Sequence, residues 1–231
     1  MNQPFGMPNS QVEYGAVTQV RNRVLRNTYW LLALSMIPTI LGAYVGIATG
    51  MATALSGITG LIVFFAGAFG FMYAIEKTKN SGMGVVLLLA FTFFMGVMLS
   101  RLVGVILGMG NGTQLVMTAF AGTAAVFATM ATVATTTKRD FSGAGKWLMV
   151  GMIVILVTGL LNAFVFQSTA MMAALSAAAI ALFSFWLMYD IKRIVDGGET
   201  NYISATLSLY LSVFNIFQNL LVLLGVFGGD D

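Results

Sequence analysis

Seven apolar stretches, each long enough to cross a bilayer, follow one another along this chain, at residues 28–49, 55–75, 84–108, 114–136, 146–166, 170–191 and 203–227. A spanning helix needs about 20 mainly apolar residues. Within the bilayer a backbone must satisfy its own hydrogen bonds, so stretches of this length read as helices. The chain is therefore expected to be all-α, a polytopic membrane protein of seven transmembrane helices. Residues 1–27 are polar, carry Pro4 and Pro8, and are expected to form a flexible cytoplasmic tail, becoming helical near residues 17–25. Residues 28–231 are expected to form one seven-helix domain.

Charge agrees with this reading. Only 8% of the 231 residues are charged, against about 25% in an average soluble domain. The connections between spans alternate strictly between charged and neutral. Arg21, Arg23 and Arg26 precede the first span. Glu76, Lys77 and Lys79 follow the second, Lys138, Arg139, Asp140 and Lys146 lie around the start of the fifth, and Lys192, Arg193, Asp196 and Glu199 follow the sixth. The other connections are short and uncharged. Every Lys and Arg except Arg101 thus falls on one side, which the positive-inside rule makes cytoplasmic. The amino terminus is expected inside the cell, and the acidic residues Asp230 and Asp231 outside.

The chain has no His and no Cys. Imidazole–nucleophile pairs, zinc sites built on His or Cys and thiolate redox centres are excluded. No cofactor is implied. No two acid–base groups recur at helical spacing on one apolar face, so the chain reads as a non-enzyme. The net charge of +3 sits at helix ends and does not indicate nucleic acid; the expected surroundings are the lipid bilayer.

Small residues let membrane helices approach closely. Gly42, Gly46 and Gly50 recur on the first span, Gly67 and Gly70 sit on the second, and Gly104 and Gly108 on the third. These positions serve close packing within the chain or a dimer face. Pro38 removes a backbone donor inside the first span and leaves the Leu34 carbonyl without its usual partner, giving a kink or a hinge.

Ionisable groups inside a membrane are costly and are functional candidates. Asp190 ends the sixth span at the cytoplasmic boundary. It is either an interfacial carboxylate paired with Lys192 or Arg193, or a gate, pH-sensing or cation-binding group. Arg101 lies near the outer end of the third span, where it snorkels outward or faces a polar cavity. On the seventh span Asn201, Ser204, Ser208, Ser212, Asn215 and Asn219 step by three or four residues and form one polar face. A stripe of this length cannot face lipid. It makes interhelical hydrogen bonds or lines a narrow aqueous path, and in either case the seventh helix is expected to be central.

Two blocks resemble a known family. Gly-Gly-Glu-Thr-Asn-Tyr-Ile at 197–203, with Ser-Leu-Tyr-Leu at 208–211 and Asn-Ile-Phe at 215–217, is similar to the transmembrane Bax inhibitor family, in particular its bacterial YccA-like subgroup. Val-Leu-Arg-Asn-Thr-Tyr at 24–29 resembles the same subgroup. The resemblance implies six helices around a seventh. It implies, for some members, a pH-sensitive calcium leak channel whose sensor is a pair of Asp residues on the sixth and seventh helices. Asp190 matches the first and Ser212 stands at the second, so the pair that would share a proton is absent. For the YccA-like subgroup the resemblance implies an inner-membrane interactor that restrains the membrane-anchored AAA protease FtsH.

Overall fold

The computed structural model describes residues 10–51 and 57–228, the side chains of residues 10–20 excepted. It contains α1 (Ser10–Ala48), α2 (Gly57–Thr78), α3 (Gly82–Leu107), α4 (Gly112–Thr136), α5 (Ala144–Leu161), α6 (Thr169–Val195) and α7 (Tyr202–Gly228). A single π turn, Asn162–Phe166, extends α5. Among the described residues there is no strand. All seven predicted spans are helices, and all are long and apolar enough to cross a membrane.

The main differences lie at the helix ends. Helix α1 begins at Ser10 rather than near Thr28. Much of the polar segment placed in a tail is therefore helix continuous with the first span, and Val24 within it is buried. Residues 1–9 of the tail lie outside the described residues. Helix α6 runs on to Val195, because Lys192 and Arg193 in its last turn favour the negative end of the helix dipole. Asp190 thus sits inside the helix rather than at its end.

Helix α7 organises the bundle. No residue from Tyr202 to Val226 is exposed. Ile203, Leu209, Tyr210, Ile216 and Leu221 are fully enclosed. Helices α1, α3, α4 and α6 pack along it, and α2 only touches it. The family resemblance implied six surrounding helices; α5 departs from that arrangement, has no buried residue and packs against α6 instead. In the α4–α5 connection Asp140 Oδ1 accepts from the Ser142 amide at 2.8 Å and Oδ2 from the Ser142 hydroxyl at 3.1 Å. These bonds hold the exposed Asp140 carboxyl below the usual carboxylate range.

Glycines draw α1 and α3 together, though the pairs are not all those expected. Gly42 lies against the Phe93 carbonyl, Gly46 against Ser100, and Gly96 against the Thr39 carbonyl. Gly67 accepts the Phe94 ring, whereas Gly70 has no neighbour within 4 Å. Gly50 does not belong to this seam. Its φ of 69° ends α1 in the left-handed region, where a glycine carries no Cβ penalty. Pro38 lies within α1, and the helix continues through it.

Candidate functional site

The polar residues of α7 divide into three groups. At the end carrying the charged turns, Asn201 and Ser204 clasp the α2–α3 turn. The Asn201 Nδ2 donates to the Lys79 carbonyl at 3.0 Å and to Asn80 Oδ1 at 2.9 Å. Ser204 Oγ donates to Glu76 Oε2 at 3.1 Å. Asn201 Oδ1 also accepts from the amides of Ile203 and Ser204, capping α7. The charged turns after α2 and α6 are therefore joined. At the opposite end the neutral α3–α4 turn meets the end of α7, where Asn111 Nδ2 donates to the Gly228 carbonyl.

Midway along α7 the interhelical bonds come from Tyr210, off the predicted stripe. Its hydroxyl lies 2.9 Å from Thr39 Oγ1 of α1 and 3.4 Å from the Thr92 carbonyl of α3. Thr39 itself donates to the Ser35 carbonyl at 2.8 Å. Tyr210 donates to the Thr92 carbonyl, which can only accept, and in the 2.9 Å contact with Thr39 either hydroxyl can be the donor. The ring packs edge-on to Phe91 and beside Phe214. A lone tyrosine hydroxyl in an apolar helix needs a buried partner; that requirement was the available sequence signal.

The third group is the stripe itself. Ser208, Asn215 and Asn219 are half-buried. Asn215 Nδ2 donates to the Leu211 carbonyl and Asn219 Nδ2 to the Asn215 carbonyl, both at 2.8 Å within α7. Neither side chain hydrogen-bonds to another helix among the described residues. Ser212 is buried, and its side chain makes no hydrogen bond among the described residues.

Asp190 is 5% exposed, and its Oδ2 is enclosed with no hydrogen-bond partner. The neighbouring basic residues are engaged elsewhere: Lys192 pairs with Asp196 at 2.9 Å and Arg193 with Glu199 at 2.8 Å. The pairing expected of an interfacial carboxylate is therefore not made, and no hydrogen bond joins Asp190 to Ser212. Thr28 Oγ1 is a second enclosed polar atom without a partner. It lies near the start of α7, where Thr206 Oγ1 is 3.4 Å from the Thr28 carbonyl. Arg101 is exposed on α3 and, among the described residues, forms no ion pair. No three of His, Cys, Asp or Glu come together as metal ligands among the described residues.

Residues 21–229 match the family Bax1-I, inhibitor of apoptosis-promoting Bax1. Escherichia coli K12 YccA, named modulator of FtsH protease, is 38% identical over 209 residues, 90% of this chain and 92% of YccA. An uncharacterized membrane protein of Vibrio cholerae is 35% identical over 231 residues, the whole of both chains. An uncharacterized protein of Neisseria meningitidis is 36% identical over 228 residues, 97% of this chain and all of its own.

Proposed function

This chain belongs to the Bax1-I family, and from that premise we propose that it is an inner-membrane protein that binds and restrains the membrane-anchored AAA protease FtsH. The observation that carries the reading is the 38% identity, across nearly the full length of both chains, to a relative named as a modulator of that protease. A second relative is named an inner membrane protein. The amino terminus lies in the cytoplasm and Asp230 and Asp231 in the periplasm, because the basic connections share one side. The segment ahead of Ser10, where α1 begins, then gives the ATP-driven protease a cytoplasmic handle. The test is co-purification with FtsH from detergent-solubilised inner membranes, with the half-life of an unstable membrane substrate of FtsH measured with and without the chain. Association and a longer half-life are expected. No association, together with an unchanged half-life, overturns the reading.

One observation favours a second reading, a cation leak pathway for calcium: Asp190 is buried, its Oδ2 has no hydrogen-bond partner, and it forms no ion pair among the described residues. A carboxylate enclosed at a cost of several kcal/mol has a use for a passing cation. Liposomes loaded with a calcium dye test it at several pH values. Flux above that of empty liposomes, lost in Asp190→Asn, supports it; flux equal to that of empty liposomes removes it.

A further inference from the structure

The charged turns of the bundle differ in how their charge is balanced. Lys79, Lys192 and Arg193 are paired with Glu76, Asp196 and Glu199. The cations of the α4–α5 connection are not. Lys138, Arg139 and Lys146 are exposed and form no ion pair among the described residues. The one acidic residue between 137 and 147 is Asp140, and both its oxygens are turned to Ser142. Three positive charges therefore stand together without a counter-charge from the protein.

The connection is held in place from beneath. Phe141 packs against the hydrophobic core, and its carbonyl accepts from the Ala144 amide at 2.8 Å. The Arg139 amide lies 3.4 Å from Thr137 Oγ1. Gly145 sits close against the Tyr189 hydroxyl of α6. The level of the charges is set by Trp147, which is 79% exposed and directly follows Lys146. A tryptophan at the end of a membrane span favours the headgroup layer, and a neighbouring Lys or Arg extends into the same layer. Lipid has access to this end of α5, because α5 has no buried residue and packs against α6 alone among the other six helices.

We propose that Lys138, Arg139, Lys146 and Trp147 form a binding surface for the headgroup of an anionic phospholipid in the leaflet on the charged side of the bundle. The three cations meet the headgroup phosphate, and the Trp147 ring lies beside the upper part of the acyl chains. Charge complementarity selects the anionic lipid over a zwitterionic one, since each basic residue near the surface adds attraction for negative headgroups. Helix α5 leans on one other helix, and the bound lipid gives its end a second support.

The test uses the full chain in lipid nanodiscs, with Trp30→Phe and Trp186→Phe leaving Trp147 as the remaining tryptophan. Quenching of its fluorescence by brominated phosphatidylglycerol is compared with quenching by brominated phosphatidylcholine. A preference of about fivefold or more for the anionic lipid is expected, the effect of at least one basic residue at the surface, and it should weaken in about 0.5 M salt. Combining Lys138→Gln, Arg139→Gln and Lys146→Gln is expected to bring the preference close to one. Combining Lys138→Arg, Arg139→Lys and Lys146→Arg, which keeps the charge, is expected to preserve it. Arg21→Gln, Arg23→Gln and Arg26→Gln remove the same charge from α1 and are expected to leave the preference at Trp147 within about twofold. Thermal melts confirm that each variant is folded. Absence of a preference in the parent chain, or equal losses in the two glutamine triples, overturns the local surface. Loss of the preference in about 10 mM inorganic phosphate assigns the cations to a soluble anion and overturns the lipid. Loss of FtsH co-purification in the first triple, with the lipid preference unchanged, assigns them to an acidic protein segment and also overturns it.

Discussion

Thr39 and Tyr210, 171 residues apart in the sequence, are 2.9 Å apart in the centre of the bundle. The contact ties the helix bearing Pro38 to α7, whose one exposed residue is Phe227. Tyr210 is fully buried, so its hydroxyl has no water to turn to when Thr39 is altered.

Removing that hydroxyl is expected to be felt. Tyr210→Phe and Thr39→Val should each lower stability by about 1 kcal/mol, read as Tm in detergent. The double variant should cost less than the sum of the two, because the first change already removes the bond. Additive losses would show that the two side chains act independently.

The α1–α3 seam depends on glycines whose Cβ positions are occupied. Gly96→Ala places a methyl on the Thr39 carbonyl, and Gly42→Ala one on the Phe93 carbonyl. Each should cost about 1–3 kcal/mol through overpacking. Gly70→Ala meets nothing within 4 Å and should be neutral or slightly stabilising, since alanine favours helix. Thermal melts of the three variants side by side check the contrast.

The α5–α6 turn offers a pair of opposite effects. Asn162 Nδ2 donates to the Ser168 carbonyl at 3.1 Å, and its Oδ1 accepts from the Ser168 amide at 3.0 Å. Asn162→Ala should lose about 1–2 kcal/mol. Gln167 holds a φ of 48°, so Gln167→Gly should gain about 0.5–1 kcal/mol. A loss on Gln167→Gly would mean that this side chain contributes more than the strain costs.

Asp190 provides a test of buried charge. Its Oδ2 has no partner, so Asp190→Asn should raise Tm, by an amount corresponding to about 1–3 kcal/mol. A fall in Tm would show that the carboxylate is satisfied in the membrane by water or an ion. The same variant in the dye-flux assay separates a structural role from a conducting one.

The Asp140 turn should respond to acid locally. The bonds from Ser142 hold the Asp140 carboxyl below its ordinary value, so they are intact above the usual carboxylate range. They are lost as pH falls through the lowered value. The group is fully exposed, and global stability should not follow. The Ser142 amide resonance, followed from pH 6 to pH 2, should shift in Asp140 protein and stay still in Asp140→Asn.

Much of the fold was legible because membrane helices announce themselves by length and by charge at their ends. The span at 114–136 differs from α4 by two residues at one end. Helix α1 was less legible: the segment from Ser10 is polar, and hydropathy has no signal for a helix that continues out of the lipid. The site was partly legible. The stripe on α7 marked a non-lipid face, but periodicity could not show that Asn215 and Asn219 bond within their own helix while Asn201 and Ser204 reach α2. Tyr210 does not stand out in the sequence, because its partners Thr39 and Thr92 are brought near only by the packing. Asp190 stands out in the sequence as an ionisable group on an apolar span, yet its lack of an ion pair with Lys192 and Arg193 depends on those residues pairing at i+4 and across the turn.

The position of α7 has a consequence for how the protein is made. Helix α7 is synthesised after the six helices that precede it, and yet it fills the middle. During synthesis the earlier helices must stand in the bilayer with their inner faces turned to lipid or to one another in temporary arrangements. Closure then occurs as a late event, when the enclosed surface of α7 arrives and the buried contacts form together. Until that moment the nascent bundle offers its unfinished interior to quality-control machinery, and a ribosome stalled before residue 202 leaves an assembly without its keystone.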